Sequence, residues 1–224
     1  MVTNMRIDGV IFDCDGVLVD SETIAVEIDQ QMLRELGIDW TRDEIVVNFL
    51  GKSDAHNFKL IETLIGRELP ESFVLESESR YREAFETRLR LIPGVDEVIR
   101  ALSVDFCVAS SGSHAKIRNS LNLVGLHDVF EGKIFSSSDV SRGKPEPDLF
   151  LHAATTMGWE PANTLVIEDS DAGIEAGLAA GMQVLAYGGG LLDHSNKEHP
   201  RIRVIKTMNE IPEVISELLL STDW

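Results

Sequence analysis

Five short apolar segments, each followed by small polar or acidic residues, constrain the fold of this chain more than any other feature. The first, residues 7–12, is too short for a helix and leads into Asp13-Cys14-Asp15-Gly16, which indicates a buried strand. The other four segments are 104–109, 133–135, 164–167 and 183–187. Patterns typical of helices lie between and after them, at 95–102, 114–124, 147–157, 173–180 and 211–220. Strands that alternate with helices predict an α/β fold with a doubly wound parallel, Rossmann-like sheet and right-handed crossovers.

One stretch, residues 21–91, interrupts this alternation because it shows helical periodicity and no clear strand. Apolar residues such as Ile24 and Ile28 fall on one helical face. We therefore expect a small helical domain at 21–91, inserted after the first strand. The α/β core would then consist of residues 1–20 and 92–224.

The balance of charges limits the partners that this protein can bind. Lys and Arg number 20 and Asp and Glu number 38, which gives a net charge of −18. An acidic surface repels phosphate backbones and argues against nucleic acid as a partner. The sequence shows no signal-peptide pattern and no run of about 18 apolar residues. We therefore expect a cytoplasmic protein, monomeric or weakly dimeric, that has no membrane association and builds any anion site locally.

Polar side chains follow the predicted strands at their carboxyl ends, where parallel sheets bind ligands. Facing carboxylates resist joint ionisation unless a cation intervenes, and oxygen ligands without His or Cys suit Mg²⁺. A lysine and a hydroxyl can hold phosphate oxygens, while one carboxylate attacks phosphorus and another transfers protons. Structural caps and turns are the other interpretation, and the residues alone leave both open. The positions concerned are Asp13, Asp15, Ser110, Lys144, Glu168 and Asp169.

Four segments of the sequence resemble the motifs of the haloacid dehalogenase (HAD) superfamily, in that family's order. They are DCDGVLVDSE at 13–22, VASS at 108–111, GKPEPD at 143–148 and IEDSDAGI at 167–174. The helical insert has the family's usual place after the first motif, and the subgroup resembled is that of the β-phosphoglucomutase-like sugar phosphatases. The resemblance covers nearly the whole chain. It implies Mg²⁺-dependent hydrolysis of a small phosphorylated metabolite under a helical cap whose closure excludes water and selects the substrate.

The resemblance also implies a role for each residue of the site. Asp13 is the nucleophile that forms an aspartyl-phosphate, and Asp15 protonates the leaving alcohol and then activates water. Mg²⁺ is held by Asp13, the main-chain carbonyl of Asp15, Asp169 and, directly or through water, Glu168. The transferring phosphoryl group is bound by Ser110, Ser111 and Lys144, which share its developing charge with the metal.

Single residues separate the alternative activities. A receiver-like phosphoacceptor signalling domain also carries acids, a hydroxyl and a lysine at sheet ends, but it lacks the helical insert and the second acid of the first motif. True dehalogenases lack the acid at Asp15, and phosphonatases need a cap lysine close to the first motif, whereas the first lysine here is Lys52. Phosphosugar mutases carry a lysine, an arginine and a histidine where this chain has Leu50, Asp54 and Ala25. These departures favour hydrolysis over a β-phosphoglucomutase-like activity.

The loop at Gly51 and Lys52 is our candidate for substrate recognition within the insert. The core offers groups that bind one phosphate only, so discrimination between substrates must come from the cap. Gly51 allows close approach of the backbone, and Lys52 can pair with a substrate carboxylate. This favours a sugar-acid phosphate such as 6-phosphogluconate over neutral sugar phosphates. The other interpretation is an exposed lysine that balances nearby acids.

Overall fold

Parallel strands form a single six-stranded sheet in the computed structural model, which describes residues 6–220. The strands are β1 (Gly9–Phe12), β2 (Asp105–Ser110), β3 (Ile134–Ser136), β4 (Thr164–Glu168), β5 (Gln183–Tyr187) and β6 (Ile202–Ile205). Their order is β3-β2-β1-β4-β5-β6, and every pairing is parallel. The predicted α/β, doubly wound parallel sheet is confirmed.

The helices of the described residues fall into two sets. Four follow β1 and form the insertion: α1 (Ser21–Glu35), α2 (Arg42–Phe49), α3 (Asp54–Ile65) and α4 (Glu71–Arg88). The later ones are α5 (Val95–Ala101), α6 (His114–Leu123), α7 (His127–Phe130), α8 (Asp148–Met157), α9 (Asp171–Ala179) and α10 (Ile211–Leu220). The helical insertion after the first strand is therefore confirmed. No described helix is long and apolar enough to cross a membrane.

Two compact units result from this order of elements. The core unit takes the chain up to Val19 and from Arg90 onward, and the helical unit is Asp20–Leu89. The sequence-based limits were 21 and 91, and residues 1–5 and 221–224 of the predicted core lie outside the described residues. Within the helical unit, α1 packs against α2 and α4, and Arg80 of α4 forms an ion pair with Glu35 of α1.

Helices on both faces of the sheet explain why the strands read as continuous apolar runs. Every residue of β1 and of β4 is buried, as expected for strands covered on both sides. Neighbouring residues of β1 serve opposite faces. Ile11 joins the core cluster that contains Phe150 of α8, whereas Phe12 meets Phe130 of α7 edge-on at 6.4 Å. The sheet is thus fixed from both sides.

The topology creates one crevice suited to a ligand. From β1 the chain moves outward through β2 to β3, and then returns to the other side of β1 to build β4, β5 and β6. Strand order therefore reverses next to β1, which is the position at which open parallel sheets bind ligands beyond their carboxyl ends. Residues that follow β1, β2 and β4 are the ones that this crevice brings together.

Candidate active site

Apart from Lys144, the predicted site residues of the core unit lie at the carboxyl ends of three adjacent strands, β2, β1 and β4. Phe12, the last residue of β1, pairs with Val108 of β2 and Ile167 of β4. Asp13 follows directly, and its N–H donates to the carbonyl of Ile167 at 3.0 Å. Because of this register, Asp13 lies level with Glu168, the last residue of β4.

Lys144 joins these two acids. Its Nζ lies 2.5 Å from Oδ1 of Asp13 and 2.5 Å from Oε1 of Glu168. The lysine side chain is only 3% exposed and also lies over the ring of Phe150, 4.9 Å from its centroid. A buried charge persists only when it is paired, so the two carboxylates and the ammonium depend on one another.

Burial and charge act in opposite directions on this cluster. Burial raises the pKa of the Asp13 carboxyl, the Lys144 ammonium opposes this, and the negative charge of Glu168 reinforces it. Burial by itself would lower the pKa of Lys144, but attraction to Asp13 and Glu168 outweighs it, so that pKa lies above its ordinary value. Lys144 is therefore a fixed cation in a region rich in negative charge.

Glu168 is anchored through both of its oxygens. Oε1 accepts from Lys144, while Oε2 accepts from the N–H of Ser170 at 2.8 Å and from its hydroxyl at 2.9 Å. Gly173 leaves room for this arrangement, since a Cβ there would lie 1.9 Å from Oε1. The geometry suits Glu168 to hold Lys144 in place. The predicted participation of Glu168 in metal binding, directly or through water, stays a prediction.

Asp169 lies against the turn that follows Asp13. It is buried, with 3% of its surface exposed. Gly16 has a φ of 79°, and a Cβ at this position would lie 2.0 Å from Oδ2 of Asp169. The turn is closed by a hydrogen bond from the N–H of Gly16 to the carbonyl of Val19 at 2.9 Å. The structure thus brings the carboxylate of Asp169 against the backbone next to Asp15.

The second motif supplies a buried hydroxyl and an exposed one. Ser110, the last residue of β2, is 2% exposed, and its Oγ accepts from the N–H of Gly112 at 3.1 Å. Ser111 is exposed, and its carbonyl accepts from the hydroxyl of Ser137 at 2.6 Å. The Ser110 hydroxyl can still donate its own proton to an anion. The predicted phosphate-binding roles of both serines stay predictions.

Asp15 has a partner that the sequence analysis missed. Nζ of Lys116 lies 2.8 Å from Oδ2 of Asp15. Burial lowers the pKa of Lys116, but attraction to Asp15 outweighs this and raises it overall, which keeps the ammonium charged. A lysine in the first turn of the helix after the second motif was the available signal, and it was not used.

Gly51 and Lys52 belong to the helical unit, which is described by itself. Gly51 has a φ of 72°, and the N–H of Lys52 donates to the carbonyl of Phe49 at 3.0 Å. Lys52 is exposed, and Ser53 next to it caps α3. Their predicted part in substrate recognition stays a prediction.

The residues of the core unit suit a hard divalent cation. Among residues 6–220, no group of three or more His, Cys, Asp and Glu side chains is arranged to hold a metal ion. The predicted Mg²⁺ ligands are the carboxylates of Asp13 and Asp169, the carbonyl of Asp15 and, directly or through water, Glu168, and this set stays a prediction. Mg²⁺ keeps several waters, so the two aspartates and one carbonyl can suffice on the protein side. Both carboxylates are buried, and oxygen donors of this kind match its chemistry.

An α/β core with acids at the ends of adjacent strands, a buried lysine and a helical insert define a class of phosphate-processing enzymes. The sequence pattern of the haloacid dehalogenase-like hydrolases matches residues 10–187, and the chain belongs to this family. The receiver-like alternative is thereby excluded.

Several known proteins are similar to this chain over almost its full length. A 6-phosphogluconate phosphatase from Escherichia coli (strain K12) is 32% identical over 215 residues, which cover 93% of this chain and 95% of that protein. The structure of a conserved haloacid dehalogenase-like protein from Agrobacterium tumefaciens str. C58 is 33% identical, with a TM-score of 0.84, over 95% of this chain and 99% of the other. The structure of a HAD family hydrolase from Deinococcus radiodurans R1, with bound phosphate and sodium, is 30% identical and has a TM-score of 0.81. The match covers 99% of this chain and 100% of the other. The chain is a HAD-type phosphatase of the sugar phosphatase subgroup.

Proposed function

We propose that this phosphatase hydrolyses the phosphate ester of a small sugar or sugar acid through an aspartyl-phosphate at Asp13. One observation carries the proposal. The Asp13 carboxylate directly follows the central strand β1 and is buried, and the Lys144 ammonium that contacts it is itself held by Glu168. A carboxylate of this kind is a fixed nucleophile beside a fixed cation for the phosphoryl oxygens.

The reaction proceeds in two displacements. In the first, an oxygen of Asp13 forms a bond to phosphorus while the bond from phosphorus to the sugar oxygen breaks, and Asp15 gives its proton to that oxygen. In the second, water bonds to phosphorus and passes a proton to Asp15. The Asp13–phosphorus bond then breaks, which releases inorganic phosphate and restores both aspartates.

Asp13, Asp169 and the carbonyl of Asp15 would hold Mg²⁺. When bound, the ion would offset negative charge on the phosphoryl group. Lys144 and the Ser110 hydroxyl would bind oxygens of that group from the protein side. The phosphate in the related Deinococcus radiodurans structure supports an anion site in this fold.

A sugar-acid phosphate is the favoured substrate. The Escherichia coli relative that matches nearly the whole chain is a 6-phosphogluconate phosphatase. Lys52 is exposed and carries a charge complementary to a sugar-acid carboxylate. The core lysines described above already contact carboxylates, so an additional cation is needed to read the acid group.

The nucleophile is tested by Asp13→Asn, with Asp128→Asn as the matched control because the Asp128 side chain is fully exposed in the same unit. Release of phosphate from 6-phosphogluconate, glucose 6-phosphate and a hexitol phosphate is measured. We expect Asp13→Asn to lose activity by at least roughly a thousandfold, since the amide is a poor nucleophile, and the control to keep it. Asp15→Asn should accumulate a phosphoryl group on Asp13, detected by mass spectrometry. Retention of a tenth of the activity by Asp13→Asn would overturn the mechanism.

The substrate class is tested by Lys52→Ala, with Lys59→Ala as the control because Lys59 is another exposed lysine of the helical unit. We expect Lys52→Ala to lose kcat/KM selectively on the sugar-acid phosphate, by about 1–3 kcal/mol in transition-state free energy, with little change on the neutral sugar phosphate. Equal changes on both substrates would remove Lys52 from the site.

A further inference from the structure

We propose that Lys116 is a positioning residue that orients the acid–base carboxylate of Asp15. This inference rests on the proposed function, because Asp15 transfers the proton in that mechanism. Nζ of Lys116 lies 2.8 Å from Oδ2 of Asp15, and both residues belong to the core unit. The two residues are 101 positions apart in the sequence, so the pair exists only because the fold creates it.

The start of α6 delivers Lys116 to this place. Ser113 caps the helix, and its side chain accepts a hydrogen bond from the N–H of Lys116 at 3.3 Å. Ile117, the next residue, is buried and fixes the first turn against the core unit. A Cβ at Gly112 would lie 3.3 Å from Cδ of Lys116, so the lysine stem packs directly over this glycine. The helix start and the contact with Gly112 therefore direct the Lys116 side chain toward Asp15.

The location of Lys116 is unfavourable for the helix itself. The N-terminal turn of a helix carries partial positive charge and favours acids, yet the first turn of α6 has no acidic residue. A cation at this end is destabilising for the same reason. Local rules of this kind are commonly broken where function requires it. The contact with Asp15 supplies the compensating attraction.

Lys116 differs from Lys144 in what it contacts. Lys144 is buried and touches the nucleophile Asp13, whereas the Lys116 side chain is half-exposed and contacts the carboxylate that handles the proton. An ammonium at Oδ2 restricts the rotamers of the Asp15 carboxylate, which is the group that exchanges a proton with the sugar oxygen or with water. Loss of Lys116 should therefore weaken proton transfer more than phosphate binding.

Leaving groups of different basicity separate these two effects. Departure of a sugar alkoxide needs a proton, and general acid catalysis contributes about 10²–10⁴-fold to such steps. Departure of p-nitrophenolate, a much weaker base, needs almost no proton donation. In rapid-mixing experiments we expect Lys116→Met to slow phosphoenzyme formation from a sugar phosphate by roughly 10–100-fold, within that range. Formation from p-nitrophenyl phosphate should change by less than about threefold, and a burst of p-nitrophenol should precede slow turnover, because the water step still needs Asp15.

Two further variants complete the test. Lys116→Arg keeps the positive charge and should restore most of the rate with the sugar phosphate. Lys133→Met removes a lysine that pairs with Asp105 at the amino end of β2, and it should leave all rates unchanged. Far-ultraviolet circular dichroism checks that each variant is folded.

Three results would overturn the inference. They are equal losses with both substrates, an effect on KM alone, and unchanged phosphoenzyme formation from the sugar phosphate. Failure of the proposed function has a different signature: the wild-type enzyme would form no phosphoenzyme on Asp13 with either substrate.

Discussion

Replacement of Gly173 by alanine should disrupt the site from outside it. A Cβ at this position would lie 1.9 Å from Oε1 of Glu168 and 2.0 Å from its Cδ, distances at which atoms cannot coexist. The Glu168 carboxylate must therefore move, and it would lose its contacts with Lys144 and with the N–H and hydroxyl of Ser170. The buried Lys144 ammonium would then keep its contact with Asp13 and lose the one with Glu168.

The size of the effect follows from two opposing contributions. Breaking a buried, hydrogen-bonded ion pair costs about 3–5 kcal/mol. Alanine stabilises a helix interior by about 1 kcal/mol relative to glycine, and Gly173 lies within α9. The free energy of unfolding should thus fall by about 2–4 kcal/mol. For a chain of this length that corresponds to a decrease in Tm of roughly 4–16 °C.

Thermal unfolding in metal-free buffer, followed by circular dichroism, measures this directly. Gly173→Ala is compared with Glu168→Ala and with the double variant. Without the Glu168 carboxylate the new methyl group has nothing to displace, so Gly173→Ala should become neutral or slightly stabilising. Gly177→Ala is the control on the same helix, because its Cβ would meet Val184 instead, and its effect should not depend on Glu168. A Gly173→Ala protein as stable as the wild type, or equally destabilised in both backgrounds, would refute the reasoning.

The remaining predictions concern the metal, the first-motif turn and the helical unit. Exhaustive chelation should abolish turnover and added Mg²⁺ should restore it, whereas full activity after chelation would contradict the metal site. Gly16→Ala should lower kcat by roughly a hundredfold or more, since its φ of 79° is unfavourable and its Cβ would lie 2.0 Å from Asp169 Oδ2; a wild-type rate would contradict this. Burial raises the pKa of Asp29 to about 6 from 3.8, although the Tyr81 hydroxyl that donates to it acts in the opposite direction. The folded state then holds this proton more tightly, so stability falls as the pH rises from about 4 to about 6. Asp29→Asn should flatten this part of the Tm-versus-pH curve, and an unchanged slope would refute the assignment.

The sheet could be predicted because its central strands are buried on both faces. Such strands must be short apolar runs, and the runs at 9–12 and 164–168 are entirely buried. The last strand, β6, was missed for the converse reason. It lies at the sheet edge, has four residues and includes the exposed Arg203, so it lacks the apolar continuity that identified the others.

The candidate site was only partly accessible from sequence. Asp13, Lys144 and Glu168 follow from strand ends and motif spacing, and the structure brings them into contact. The pairing of Lys116 with Asp15 could not be derived in this way, because a lysine on a helix surface is usually solvated and its partner depends on how α6 packs against the sheet. The constraint that Glu168 places on Gly173 is likewise a matter of distances that no spacing reveals.

The acidic character of the whole chain makes this local construction necessary. With a net charge of −18, long-range attraction cannot gather a phosphorylated substrate at the surface. The structure instead holds the Lys144 ammonium in a buried position between two carboxylates. If the ammonium moved away, those buried carboxylates would be left without a counter-charge. A charge fixed in this way needs little reorganisation as negative charge develops on a phosphoryl group, and solvent ions screen it weakly because it is buried. In the proposed mechanism, recognition of phosphate therefore depends on Lys144 and on the carboxylates that it contacts at the ends of β1 and β4, and not on the overall sign of the surface charge.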